Sequence, residues 1–325
     1  MIQDQASFTT RLPVLDGWRA VSILLVLSAH LLPLGPKALQ LNYSAGAAGM
    51  ALFFTLSGFL IVTALDRGMP LREFALKRIA RIVPLAWLAI AVLATWQHYD
   101  DRVLLQNLLF VGNLPAFNLL SGGEHFWSLG VEMQFYACIG LTVALLGRRG
   151  LWLVPVGCLT VTAMRIAAGQ PISIVTWHRV DEILAGGCLA LAVARGHHRY
   201  LRGIPLWIGV IGLLVASNPL SGPVQYLRPY AAVFLVGISI HQPPKVLLTK
   251  TMAYIARVSF ALYVIHGMLV DTWLGSGEKF VKLAKRPLLI ALTFALAHLS
   301  TRYVEEPIMR RCRGKVPAER LPVLS

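Results

Sequence analysis

The sequence predicts an all-α protein: a polytopic membrane bundle of about ten transmembrane helices with both termini in the cytoplasm. Three observations support this fold class. Apolar residues make up 56% of the 325 residues, only 14% are charged, and the mean hydropathy is +0.65, which is typical of multi-span membrane proteins. Apolar runs recur at the length that a bilayer-crossing helix needs. Basic residues concentrate in alternate connections between those runs.

The predicted spans follow one another along nearly the whole chain. Several are short or interrupted by Gly and Pro, notably the eighth, so the count holds to within one or two. In order they are 18–35, 43–65, 83–98, 126–147, 151–169, 180–195, 204–218, 228–242, 255–274 and 286–304.

The distribution of Lys and Arg predicts the orientation. Most of them lie in the second, fourth, sixth and eighth connections and in the C-terminal tail, which fits cytoplasmic termini and an even number of spans. The last outer connection, EKFVKLAKRP, is an exception with four basic residues. It is either a tolerated exception or a sign that a late span is misplaced. The basic residues on the predicted inner side include Arg67, Arg72, Lys77, Arg78, Arg81, Arg148, Arg149, Arg195, Arg199, Arg202, Lys245, Lys250, Arg257, Arg310, Arg311, Arg313, Lys315 and Arg320.

The composition also argues against other classes of protein. The net charge of +15 is not gathered into one patch beside stacking aromatics, so nucleic acid is not a predicted partner. The four cysteines lack metal-type spacing and are interpreted as packing residues, and no metal site is expected. The N-terminus lacks a signal-peptide pattern. We expect one integral-membrane domain over 1–325, with a membrane core at about 15–306 and a short basic tail at 307–325.

The first span carries two residues that are energetically unfavourable inside a bilayer, Arg19 and His30. An ionisable side chain inside the bilayer costs about 2.5–3.5 kcal/mol on insertion scales, so each is a candidate for function. Eleven helical steps bring the two back to within about 20° of one face and separate them by about 16 Å. Arg19 could instead reach lipid phosphates, and His30 could bond a neighbouring helix.

Three further segments carry polar groups. Ser57 and Gly58 interrupt the second span, either as a close-packing point or as a site for a ligand. Basic residues precede the third span and either anchor it or clamp phosphates. In EHFWSLGVEMQFY, Glu132 lies inside an apolar run and needs a partner. Trp127 and Tyr136 could be interface aromatics. Other polar candidates are Lys77, Arg78, Arg81, His125, Gln134, Tyr263, His266 and Glu305.

Six motifs together resemble one family. LDGWRAVSILLVLSAH, FFTLSGFLIV, KRIARIVPLAW, HFWSLGVEMQFY, VSFALYVIHG and RYVEEPIMRR occur in the order and rough spacing of the acyltransferase family 3 membrane proteins, the bacterial O-acyltransferases. The resemblance runs from about residue 11 to 312. It implies a ten-span inner-membrane enzyme that uses cytoplasmic acyl-CoA, usually acetyl-CoA, to acylate a hydroxyl of a saccharide or lipid-linked glycan.

The resemblance also implies roles for residues. The family's first-span arginine and histidine fall on Arg19 and His30, and its Arg-x-x-Arg falls on Arg78 and Arg81. Met133 stands where many members have a second glutamate. We expect His30 as general base, or as a transient acyl carrier, with Arg19 and Glu132 also in the catalytic group. Lys77, Arg78 and Arg81 would bind the CoA phosphates. The acceptor would be bound by Ser57, His125, Trp127, Gln134, Tyr263, His266 and Glu305.

Other functions remain as alternatives. Buried His, Glu and Arg also build proton relays, so a proton-coupled transporter is the main rival, although no internal repeat is apparent. A non-catalytic family member and an acyltransferase for a small lipophilic acceptor, such as a macrolide sugar, are further alternatives.

Overall fold

The computed structural model describes residues 12–314 and, within them, twelve α-helices and no β-strand. The all-helical prediction is therefore confirmed for this part of the chain. The helices are α1 Pro13–Leu31, α2 Leu41–Asp66, α3 Leu71–Trp96, α4 Asp101–Leu108, α5 Trp127–Leu146, α6 Leu153–Ala167, α7 Asp181–Ala194, α8 Leu206–Ser217, α9 Arg228–His241, α10 Lys250–Val270, α11 Lys279–Ser300 and α12 Glu306–Gly314.

Each predicted apolar run overlaps one of these helices, and only α4 and α12 lie outside the runs. Five described helical segments are long and apolar enough to cross a membrane. A sixth arises if α8 and the segment Pro219–His241, which meet at 117°, form one broken span. The five are Pro13–Leu31, Lys37–Asp66, Leu71–Trp96, Glu124–Ala167 and Lys250–Val270.

Two boundaries differ from the sequence interpretation. The segment EKFVKLAKRP is not a loop, because α11 begins at Lys279 and its basic residues lie in the first helical turns. The third helix begins at Leu71, twelve residues before the apolar run, because Lys77, Arg78 and Arg81 are good helix formers. The expected C-terminal tail begins within α12, and its residues 315–325 lie outside the described part of the chain.

The centre of the bundle is built by α1, α2, α7 and α10. Helix α2 packs against α1 on one side and α7 on the other, and α10 packs against α1. The contact between α2 and α7 needs small residues: a methyl group added at Gly58 would overlap the main-chain carbonyl of Ile183, and one at Gly186 would overlap that of Thr55. Gly58 is therefore a close-packing point between helices, one of the two interpretations that the sequence allows.

Local signals explain where several helices begin. Pro13 occupies the first turn of α1, where a missing N–H costs nothing. Asp100 caps α4 by accepting a hydrogen bond from the Arg102 amide, and Thr249 caps α10 through the amide of Met252. The Thr249 cap marks the start of α10, the helix that carries Tyr263 and His266.

Candidate functional site

One face of α1 borders a cavity of about 260 Å³, which we call the central cavity. Arg19, Ser22, Ile23 and Val26 line it, and His30 follows Val26 by four residues, one helical turn further along the same face. The predicted stripe between Arg19 and His30 is thus the wall of a cavity. The other lining residues are Met50, Phe53, Leu56, Ser57, Leu60, Arg78, Arg81, Ile82, Glu132, Ser259, Phe260 and Tyr263.

Three arginines lie at one end of the central cavity. Arg19 forms an ion pair with Asp16 at 2.9 Å. Arg78 and Arg81 form no ion pair with any residue that the structure describes. The Arg78 guanidinium lies 5.8 Å from the ring centre of Tyr136 and 6.0 Å from that of Phe74. Arg81 interacts electrostatically with the Glu305 carboxylate without forming an ion pair. Two guanidinium groups that form no ion pair among the described residues make this end of the cavity receptive to an anion.

A buried carboxylate also lines the central cavity. Glu132 is 5% exposed, and its Oε1 accepts hydrogen bonds from the hydroxyls of Ser57 and Tyr136. Those two hydroxyl oxygens are 3.3 Å apart. Tyr136 is therefore a buried partner of Glu132 rather than an interface aromatic. Its position four residues after Glu132, on the same helix face, is the sequence signal for this role.

Three histidines cluster one turn beyond the cavity. His266 is 1% exposed and its ring is 5.2 Å from that of His30 and 5.1 Å from that of His125. Its Nδ1 lies 2.7 Å from the carbonyl oxygen of Tyr263, and its Nε2 lies 3.3 Å from Nδ1 of His30. His125 is held separately, with Nε2 at 2.9 Å from the carbonyl of Val264.

These contacts select the tautomers of His30 and His266. A carbonyl oxygen only accepts, so Nδ1 of His266 carries the proton and its Nε2 is the acceptor in the neutral ring. Nδ1 of His30 therefore donates to Nε2 of His266. The remaining nitrogen of His30, Nε2, keeps a free lone pair. His30 is exposed at the end of α1, so this nitrogen can act as a base.

Tyr263 links the cavity to the histidine cluster. Its hydroxyl donates to the carbonyl of His125 at 2.5 Å and accepts from the Ser128 hydroxyl at 2.6 Å. Its ring stacks on Phe53 with centroids 6.1 Å apart. Because its hydroxyl both donates and accepts a hydrogen bond within the protein, the Tyr263 side chain is held in place between the cavity and the histidines.

Other predicted site residues do not line the central cavity. The Lys77 ammonium pairs with Glu73. Gln134 has three partners, donating to the carbonyl of Phe110 and to Asn113 and accepting from Thr176. Trp127, in turn, packs edge-on against Phe54.

His125 and Glu305 are also held by protein partners outside the cavity. His125 belongs to the histidine cluster, and Glu305 accepts a hydrogen bond from Thr301 at 3.0 Å. None of these residues is among those that line the central cavity.

A second set of charges is buried away from the cavity, and we call it the buried ion cluster. Arg228 pairs with Glu182 at 2.7 Å, Arg179 pairs with Glu182 at 3.3 Å, and Arg165 pairs with Asp181. The sequence interpretation does not consider Arg165 and Arg228. Each lies in an apolar helix, and that position is the signal that would have found them.

The described residues contain no group of three or more His, Cys, Asp or Glu side chains that could hold a metal ion.

Comparisons with known proteins give one consistent result. The acyltransferase 3 family model, described as an acyltransferase domain, matches residues 12–302. The peptidoglycan O-acetyltransferase OatA of Listeria monocytogenes is 24% identical over 92% of this chain and 56% of its own length. The O-acetyltransferase OatA of Staphylococcus aureus is 24% identical over 92% of this chain and 57% of its own length. The chain spans about half the length of these curated relatives. No solved structure is significantly similar to it.

Proposed function

Because this chain belongs to the acyltransferase 3 family, we propose that it is a multi-pass inner-membrane enzyme that moves an acetyl group from acetyl-CoA to a saccharide hydroxyl. Acyltransferase chemistry follows from the family, and the relatives are named as O-acetyltransferases, one of them of peptidoglycan. The transporter alternative is not favoured. The single observation that carries the proposal is the central cavity, with arginines at one end and the His30 cluster one turn beyond the other.

The proposed topology follows the distribution of charge. Ten helices, α1 to α3 and α5 to α11, would cross the membrane, with both termini in the cytoplasm. In this orientation the arginine end of the cavity faces the cytoplasm, where acetyl-CoA is made, and His30 faces the outer side. The chain would form one membrane domain, with a core at about 15–306.

We assign the arginine end to the donor. The phosphates of acetyl-CoA would bind Arg78 and Arg81, with Arg19 beside them, because guanidinium groups bind phosphate with two parallel hydrogen bonds. Lys77, paired with Glu73, would act only at the rim. A cavity of about 260 Å³ suits the acyl-pantetheine arm rather than the whole nucleotide. Glu132 could accept hydrogen bonds from the amide N–H groups of that arm.

The reaction would take place at His30. Its Nε2 removes the proton of the acceptor hydroxyl while that oxygen attacks the thioester carbonyl carbon. The carbon–sulfur bond then breaks, and the imidazolium returns the proton to the sulfur, so that CoA leaves as a thiol. His266 keeps His30 in the correct tautomer through the hydrogen bond at Nδ1, and its side chain is too buried to touch an acceptor.

Replacing His30 by Ala tests this function. We expect a loss of about 10²–10⁴ in acetyl transfer from radiolabelled acetyl-CoA to a muramic-acid oligosaccharide, measured on purified protein in lipid nanodiscs. His298→Ala is a matched control, because the His298 ring hydrogen-bonds Tyr254 near the opposite end of α11. Full activity of the His30 variant would refute the assignment of the base. Absence of transfer by the unaltered protein, with gradient-driven uptake of a solute, would refute the function.

A further inference from the structure

The first turns of α11 carry four basic side chains, and the last of them contacts His30. Arg286 Nη1 donates a hydrogen bond to the main-chain carbonyl of His30 at 3.4 Å. Lys285 Nζ donates to the carbonyl of Trp273 at 2.8 Å and lies 4.7 Å from the centre of its ring. This set adjoins the proposed base. We call it the α11 basic patch, and it consists of Lys279, Lys282, Lys285 and Arg286.

The four side chains project in similar directions. Their spacing along α11 places them within an arc of about 120° around the helix axis. Like charges three and four residues apart repel each other, so this arrangement destabilises an isolated helix. The N-terminal end of a helix is also the end where positive charge is least favourable. A stable fold alone gives no reason for this placement.

The protein does not neutralise the patch. Among the described residues, none of the four forms an ion pair, and Lys279 and Lys282 have no hydrogen-bond partner. Two acidic residues are close in sequence. Asp271 directs its carboxylate towards the turn at Gly122, and Glu278 immediately precedes α11. The patch therefore keeps a surplus of positive charge.

The patch also lies at the unexpected end of the bundle. It adjoins His30, at the end of α1 opposite to Arg19, so it is on the outer side in the proposed orientation. Basic residues are normally enriched at the cytoplasmic side. A cluster that opposes this bias, that has no carboxylate partner and that touches the proposed catalytic residue indicates a binding role.

We propose that the α11 basic patch binds a carboxylate of the saccharide acceptor and so holds a neighbouring hydroxyl at His30. The inference rests on the proposed function and adds to it the substrate class: an anionic saccharide. Lys279 and Lys282 supply positive charge that forms no ion pair with a described residue. Arg286 would link the bound acceptor to the main chain at His30. The donor would then approach His30 from the cavity and the acceptor from the opposite side.

A binding measurement tests the proposal without relying on turnover. Two ligands are compared: an oligosaccharide of alternating N-acetylglucosamine and N-acetylmuramic acid, and the same oligosaccharide with its carboxylates converted to neutral carboxamides. We expect the unaltered protein in zwitterionic nanodiscs to bind the carboxylate form about tenfold more tightly, and added salt to remove this preference.

The informative variant is Lys279→Gln with Lys282→Gln, because neither side chain supports the fold. It should lose most of the preference for the carboxylate form and keep its affinity for the carboxamide form. The charge-matched control is Lys245→Gln with Lys250→Gln. These two exposed side chains lie just before and at the start of α10, at the end of that helix far from His266. This control should keep the preference.

Three results would overturn the proposal. The first is equal affinity of the unaltered protein for both ligands. The second is an equal loss of affinity for both ligands in the Lys279/Lys282 variant. The third is a variant effect that appears only when the nanodiscs contain an anionic phospholipid, which would make the patch a lipid site. Acetyl transfer to the carboxamide oligosaccharide would show, in each case, that the proposed function stands although the patch has no role in it.

Discussion

The buried ion cluster and the central cavity both place charged side chains inside the bundle. Only in the cluster does every arginine form an ion pair. In the cluster, the carboxylates of Asp181 and Glu182 are fully buried and paired with arginines. In the cavity, Arg78 and Arg81 line open space and form no ion pair with any described residue. Burying a charge is costly unless it is paired. Paired charges without a cavity therefore indicate a role in folding, and unpaired charges around a cavity indicate a ligand.

This comparison can be tested first on the buried ion cluster. Glu182→Gln should lower the free energy of unfolding by about 3–5 kcal/mol, because it leaves the buried guanidinium groups of Arg179 and Arg228 without their carboxylate. The measurement is thermal unfolding in detergent, followed by tryptophan fluorescence. Glu306→Gln is the control: it removes exposed pairs with Arg257 and Arg310 and should cost about 1 kcal/mol or less. Equal melting temperatures of the two variants would contradict the distinction between the regions.

The second test concerns His266, which is as buried as the buried ion cluster but is hydrogen-bonded to the proposed base, His30. His266→Ala should lower kcat for acetyl transfer about a hundredfold with little change in either KM, because His30 loses the acceptor that fixes its tautomer. His266→Gln should restore part of the rate, since its amide oxygen can accept from Nδ1 of His30. A loss of folded protein with unchanged kcat in the remainder would show that His266 only packs.

The sequence predicts the two regions unequally well. The stripe from Arg19 to His30 follows from helical spacing alone, and the cost of charge in a bilayer marks Glu132 as well. The partners cannot be predicted, because Ser57 reaches Glu132 across 75 positions and His266 reaches His30 across 236. Only the packing of separate helices decides such pairs.

Two features show why helix boundaries and polar-residue roles are harder to predict from sequence than the spans themselves. Hydropathy locates the apolar part of α11 but not its charged first turns, because a helix can begin in water and continue into the membrane. Gln134 resembles a substrate ligand in sequence, yet its amide is used by Phe110, Asn113 and Thr176. A polar residue near an apolar run is therefore a candidate for function only until the tertiary fold provides its partners.

The third test concerns the open region and has the smallest expected effect. Arg78→Ala and Arg81→Ala should each raise the KM for acetyl-CoA about tenfold and leave kcat and the melting temperature nearly unchanged, because each removes one phosphate contact and no ion pair. Arg72→Ala, on an exposed position of the same helix, is the control for the change of charge.

The donor itself provides a sharper control for the same variants. Acetyl-pantetheine carries the thioester and the arm but no phosphate, so the Arg78 and Arg81 variants should use it as well as the unaltered protein does. A tenfold defect with both donors would place the arginines on the arm or on the fold rather than on the phosphates. A defect confined to acetyl-CoA would show that unpaired arginines at an open cavity exist for a ligand, whereas those of the buried ion cluster exist for the fold.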